Sequence, residues 1–242
     1  MTPTAWNQLW KWVLLCVLAM CAPLAWAKNN QYGTLAYHDV VDEAGSIYHQ
    51  VKTSDQNPKS DILKAYYPQT ISKKTLISHF NWLKSNGYNV VSWQDILDSQ
   101  TGKKTLPDKA VLLTFDDGYE SFYRIVYPLL KEYNYPAVFA VVTSLLDQAP
   151  NSMVVFGDTR IARGAFVTWP QIKEMSDSGL VEIASHTHNM HRAIKANPGG
   201  SAYPAVFSAQ YAQGRYESPA DYHQRLQADF KLSGECIKQH TG

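Results

Sequence analysis

Cysteine is nearly absent from this chain, and net charge almost as much so. Of 242 residues only three are Cys, and two of those, Cys16 and Cys21, fall in the first 21 positions. A chain shortened past that point keeps Cys236 alone and forms no internal disulfide, so the fold must hold by packing. The formal charge is +1, with 22 basic residues against 21 acidic ones. That balance excludes the basic footprint by which proteins recruit nucleic acid or a polyanion, and it favours a neutral substrate. Repeats and low-complexity tracts are also missing. With 45% hydrophobic and 18% charged residues, the composition suits one α/β domain with a sizeable core.

The one long apolar run lies at the N-terminus. Residues 1–27 carry a single charge, Lys11, followed by the stretch Trp12 to Trp26, interrupted by Pro23 and ending Ala25-Trp26-Ala27. A short apolar centre with small residues at minus three and minus one reads as a secretory signal peptide cleaved before Lys28. The expectation is an exported protein, periplasmic or extracellular. Leu18-Ala19-Met20-Cys21 is the competing feature, a lipoprotein-like box that would tether the chain through Cys21, although bulky Met20 departs from the pattern. Residues 28–242 then form the functional domain.

Beyond the leader, strands and helices alternate. Gly33–His38 reads as a strand, 39–68 as a long loop, and Ser72 as the cap of a helix over 73–86 stopped by Gly87. Further strands are expected at 88–92, 110–115, 137–142 and 180–185, with helices at 93–99 and 121–133 and one after Thr168 that carries Pro170 in its first turn. A last helix runs from Ser218 towards Gln239. Such alternation predicts a parallel sheet or barrel with its active site at the C-terminal strand ends.

Two motifs fall at those ends. Leu113-Thr114-Phe115-Asp116-Asp117-Gly118 delivers adjacent carboxylates, and Ser185-His186-Thr187-His188-Asn189-Met190-His191 delivers imidazoles. Three protein ligands with an open position mark a catalytic metal site. Asp117, His186 and His191 suit that role, leaving Asp116 free as a base for water. His188 can replace either neighbouring histidine, although its offset of two from His186 points it away from a shared ion. Gly118 permits the sharp turn that keeps the pair accessible. The stretch 196–218 is rich in Gly, Pro, Ser and aromatics; Tyr203, Phe207, Tyr211 and Tyr216 are candidates for a sugar-stacking wall, unless they simply pack down.

Thr-Phe-Asp-Asp-Gly-Tyr at 114–119 with Ser-His-Thr-x-x-x-His at 185–191 resembles the polysaccharide deacetylases of carbohydrate esterase family four, the NodB-homology domain. That likeness implies a distorted (β/α) barrel, a divalent ion such as Zn2+, Ni2+, Co2+ or Fe2+, and Asp116 as general base. The five-residue histidine spacing, Tyr37-His38-Asp39-Val40 and Tyr119-x-Ser121-Phe122-Tyr123 are similar to one subgroup, the poly-β-1,6-N-acetylglucosamine N-deacetylases of biofilm export systems. The subgroup implies His38 as catalytic acid, an N-acetylglucosamine polymer as substrate, export machinery as a partner and a monomeric chain. Another acetylated glycan, such as a chitin oligomer, peptidoglycan or xylan, is the alternative substrate. The expected Pro-Tyr strand and last barrel strands do not follow the final helix, which leaves a barrel short of its last strands. An inactive fragment that only binds metal or glycan is the alternative in kind.

Overall fold

Ala110, Val111, Leu112, Leu113 and Phe115 are all buried, so one strand has both faces covered and belongs at the centre of a parallel sheet. In a computed structural model describing residues 30–42, 69–156 and 159–242, it does lie there. In chain order the elements are strands β1 (Tyr32–Tyr37), β2 (Asp39–Val41) and β3 (Thr70–Ser72), helix α1 (Lys73–Ser85), strand β4 (Asn89–Val90), helix α2 (Trp93–Gln100) and strand β5 (Ala110–Phe115). Helix α3 (Tyr127–Tyr133), strand β6 (Ala137–Val141), helix α4 (Thr143–Leu146), strands β7 (Met153–Phe156) and β8 (Thr159–Ala162), helix α5 (Trp169–Asp177) and strand β9 (Val181–Ser185) follow. Two small hairpins then precede helix α6 (Pro219–Thr241).

Strand β5 pairs in parallel with β1 along its whole length, from Tyr32 opposite Ala110 to Tyr37 opposite Phe115. A strand residue has only two edges. Ala110 also pairs with Asn89 of β4, and Thr114, already opposite Ala36, also pairs with Val138 of β6. Strands β4 and β6 therefore fork along the same edge of β5, one at its start and one at its end. Strand β6 carries β9, with Ala137 opposite Val181 and Val141 opposite Ser185. Among the described residues β1 and β9 do not pair, so the expected barrel takes the form of an open five-stranded parallel sheet.

Alternation along β5 splits the core. Val111, Leu113 and Phe115 join the main cluster, whereas Ala110 and Leu112 face a smaller one with Val91, Ile96 and Leu106. Beneath the C-terminal end of the sheet sits a layer of aromatic rings. Phe115 stacks on Tyr37 at 5.0 Å and meets Phe122 edge-on at 5.0 Å, and Phe122 stacks on Phe139 at 3.9 Å. Each such buried ring contributes about 1.5–3 kcal/mol by leaving water.

Several expected elements shift. Residues 39–41 form strand β2, parallel to β3, where a loop was expected; three residues are too few to display a period. The helix expected over 121–133 opens as a π-helical turn at Phe122–Val126 before α3, a wide turn that apolar spacing does not reveal. The β7–β8 hairpin was not anticipated. In the stretch 196–218, Ala202–Pro204 pairs back with Ala193–Lys195, and Tyr211–Ala212 pairs with Arg215–Tyr216. Capping behaves as expected: Ser72 accepts from Thr75 N–H at α1, and Thr168 and Gln171 form a reciprocal box at α5. Residues 1–29, where the signal peptide is expected, and 43–68, most of the expected loop, lie outside the described residues.

Arg163 ties the site end together. Only 4% exposed, it donates to the carbonyls of Leu146, Phe166 and Val167, each at 2.9 Å, while Val167 N–H donates to the carbonyl of Gly118 at 2.9 Å. Arg163→Met would strip those buried carbonyls of their donor. It is expected to lower unfolding free energy by about 2–4 kcal/mol in urea titration; an unchanged midpoint would remove Arg163 from this role.

Candidate metal centre and active site

Strand register brings the expected residues to one end of the sheet. Asp116 N–H donates to the carbonyl of Tyr37 at 2.9 Å, extending the β1–β5 ladder by one step. His38 follows Tyr37, so it stands level with Asp116. On the other side His186 follows β9, and its N–H donates to the carbonyl of Val141 at 2.9 Å. Between them the chain turns at Asp117 and Gly118, whose φ angles are +77° and +86°. Asp tolerates the left-handed region better than most residues, and Gly enters it freely. A Cβ on Gly118 would stand 3.4 Å from Cγ1 of Val141, so the turn lies against the end of β6. That approach carries Asp117 from β5 towards β9.

The Asp117 side chain ends up buried between two imidazoles. Its Oδ1 lies 3.3 Å from Nε2 of His186 and 3.1 Å from Nε2 of His191. Neither contact has hydrogen-bond geometry, so Oδ1 is a buried acceptor without a donor among the described residues. An orphaned carboxylate oxygen is costly, and one set between two imidazole nitrogens suits a bound cation. One ligand atom from each of Asp117, His186 and His191 lies within 4.8 Å of the others. Tetrahedral ligands about 2.1 Å from a shared cation stand roughly 3.4 Å apart, close to both contacts. Two imidazole nitrogens and a carboxylate oxygen are also a donor set that suits a first-row divalent ion. These residues fit a metal.

Electrostatics separate the two aspartates. Burial raises the Asp117 carboxyl, but His186 and His191 outweigh it and hold the group well below the usual carboxylate range. Asp116 moves the opposite way: burial raises it, His186 and His38 offset part of that rise, and the Asp117 charge adds to it. At His186 burial disfavours the imidazolium, yet the Asp117 and Asp116 charges prevail and raise its pKa. Adjacent carboxyls pushed apart in this way can take different chemical roles.

His188, the alternative ligand, turns away. Its Nδ1 lies 2.9 Å from Oγ1 of Thr143, and it is not one of the three converging groups. His191 is braced by a residue that sequence reasoning missed: its ring stacks on Phe156 of β7 at 4.5 Å and 12°. The signal was present, since two short runs flank Gly157-Asp158, a two-residue hairpin pattern. Beside the histidines opens a cavity of about 500 Å3 lined by Met190, Pro204, Val206, Phe207 and Phe230. Phe207 is 83% exposed and Phe230 47%. Tyr203, Tyr211 and Tyr216 do not line this cavity; Tyr203 is exposed on its hairpin, and Tyr211 and Tyr216 pack edge-on at 5.0 Å.

Comparison with known proteins identifies the family. A profile of the polysaccharide deacetylase family matches residues 103–242. The poly-beta-1,6-N-acetyl-D-glucosamine N-deacetylase of Escherichia coli K12 is 38% identical over 212 residues, 87% of this chain. The chain spans only 29% of that relative's length. Among solved structures, a de-N-acetylase from Aggregatibacter actinomycetemcomitans is 52% identical with a TM-score of 0.75, the match covering 86% of this chain and 74% of that one. The BpsB deacetylase domain of Bordetella bronchiseptica is 39% identical with a TM-score of 0.72, covering 89% and 78%. A profile match that takes in both sequence motifs, and solved relatives with the same fold, place this chain in the polysaccharide deacetylase family.

Proposed function

We propose that the chain removes N-acetyl groups from poly-β-1,6-N-acetylglucosamine, with Asp117, His186 and His191 holding one divalent cation and Asp116 and His38 moving protons. The observation that carries this reading is the orphaned Asp117 oxygen between two imidazole nitrogens, with a second carboxyl of opposite pKa shift next to it. The names of the relatives supply the polymer.

A cation held by Asp117, His186 and His191 would supply Lewis acidity, making water more acidic and offsetting negative charge as it develops on the acetamide. Asp116 accepts a proton from the attacking water as its oxygen bonds to the acetamide carbon. The raised pKa of Asp116 strengthens it as a base. His38, level with Asp116 across β1 and β5, delivers a proton to the amine nitrogen as the C–N bond breaks. Acetate and a glucosamine unit leave. The cavity beside His191 gives the polymer an apolar wall in Phe207 and Phe230. A near-neutral chain accords with an uncharged substrate. Zinc is the favoured ion, and the leader sequence favours action after export.

Asp117→Ala is expected to abolish both cation binding, measured by calorimetry, and acetate release; wild-type release would refute the ligand assignment. Asp116→Asn should keep the cation yet lose about 10²–10⁴-fold in kcat. If that variant turns over normally, the base lies elsewhere. Acetate assays on this polymer, chitin oligomers, peptidoglycan and acetylated xylan should favour the β-1,6 polymer, and a preference for another glycan would reassign the substrate.

A further inference from the structure

The loop bearing the two histidines is held in a costly shape by a helix that sequence motifs do not connect to it. Thr187 has φ +75°, a conformation that is an outlier for a β-branched residue and costs on the order of 1–3 kcal/mol. Such strain persists only where the surroundings over-determine it. Here Thr187 N–H donates to Oγ of Ser185 at 3.1 Å, its carbonyl accepts from Thr143 N–H at 3.2 Å, and its Oγ1 accepts from Met190 N–H at 3.1 Å.

The next two amides point at α6. His188 N–H donates to Oδ1 of Asp229 at 2.7 Å, and Asn189 N–H donates to Oδ2 at 2.8 Å. One carboxylate thus spans two successive backbone amides, a charge-assisted arrangement that fixes the loop's direction. One turn further along the helix lies Ser233, the only fully buried polar residue of α6 among the described residues. Its Oγ lies 2.7 Å from that of Ser185 and accepts from Thr143 Oγ1 at 3.4 Å, and Thr143 in turn contacts the His188 ring at 2.9 Å.

We propose that Asp229 is a positioning residue for the cation site: by clamping the amides of His188 and Asn189 it holds Thr187 left-handed. That turns His188 outward to Thr143 and aims His186 and His191 at Asp117, with Ser233 securing the foot of the same loop. The inference rests on the reading of Asp117, His186 and His191 as cation ligands. Asp229 touches neither substrate nor ion, so its effect is on affinity and ligand geometry. Replacing one carboxylate oxygen by an amide sets a donor against a donor and releases one end of the clamp.

The test uses the full chain and the cobalt(II) ion, whose d–d absorption reports ligand geometry. Asp229→Asn should bind cobalt(II) about 10–100-fold more weakly than the parent, with an altered d–d spectrum, while the metal-free protein keeps a parent-like thermal melt. Glu235→Gln, on the same helix but exposed and paired with Lys231, should match the parent in all three. Parent-like affinity and spectrum in Asp229→Asn would overturn the proposal, as would a lowered metal-free melt with an unchanged spectrum, the mark of a merely structural role. Should that variant not fold, Ser233→Ala is read the same way. If the parent and Asp117→Ala bind cobalt(II) alike, the ligand reading itself fails, an outcome distinct from parent binding that Asp229→Asn leaves unchanged.

Discussion

The site is organised around a buried negative charge. Asp117 is 1% exposed, and a carboxylate taken that far from water costs several kcal/mol unless opposite charge meets it. Two imidazoles stand within 3.3 Å, yet neither supplies a well-directed hydrogen bond. Packing alone would favour an apolar side chain at this position, so the chain maintains an arrangement that makes physical sense once a cation completes it. The left-handed turn at Asp117 and Gly118, the contact of Gly118 with Val141, and the stack of His191 on Phe156 all hold the carboxylate and its partners in register.

The sheet does the gathering. Parallel strands end together, so residues just past β1, β5 and β9 meet without any long loop having to find them. The aromatic layer of Tyr37, Phe115, Phe122 and Phe139 lies directly beneath, and it gives the strand ends a rigid floor. Arg163 does the comparable task from the side, spending its donors on the carbonyls of Leu146, Phe166 and Val167. The functional groups are thus mounted on a buried, hydrogen-bonded part of the fold.

Much of this was legible in the residues. A run buried on both faces can only be a central strand, and 110–115 matched residue for residue. Ser72 and Thr168 announced their helices because capping is local chemistry. The aspartate pair and the histidines were legible because their residue types are hard to explain by packing. Other features depend on contacts between distant segments. His188 does point away, as expected, but not because of its offset of two: a strand would keep it on the face of His186, and it is the left-handed Thr187 that turns it. Nothing in the sequence of α6 marks Asp229 as the partner of amides 40 and 41 residues earlier. Of the aromatics chosen for a wall, Phe207 lines the cavity while the three tyrosines do not, and Phe230 joins it because α6 packs against that side.

The most direct test of the central claim is acetate release from poly-β-1,6-N-acetylglucosamine by the chain stripped of divalent ions with a chelator and then titrated with zinc. Release is predicted to vanish on stripping and to return fully at one equivalent of zinc, with the fold, monitored by circular dichroism, unchanged throughout. Undiminished release from the stripped protein would contradict the account.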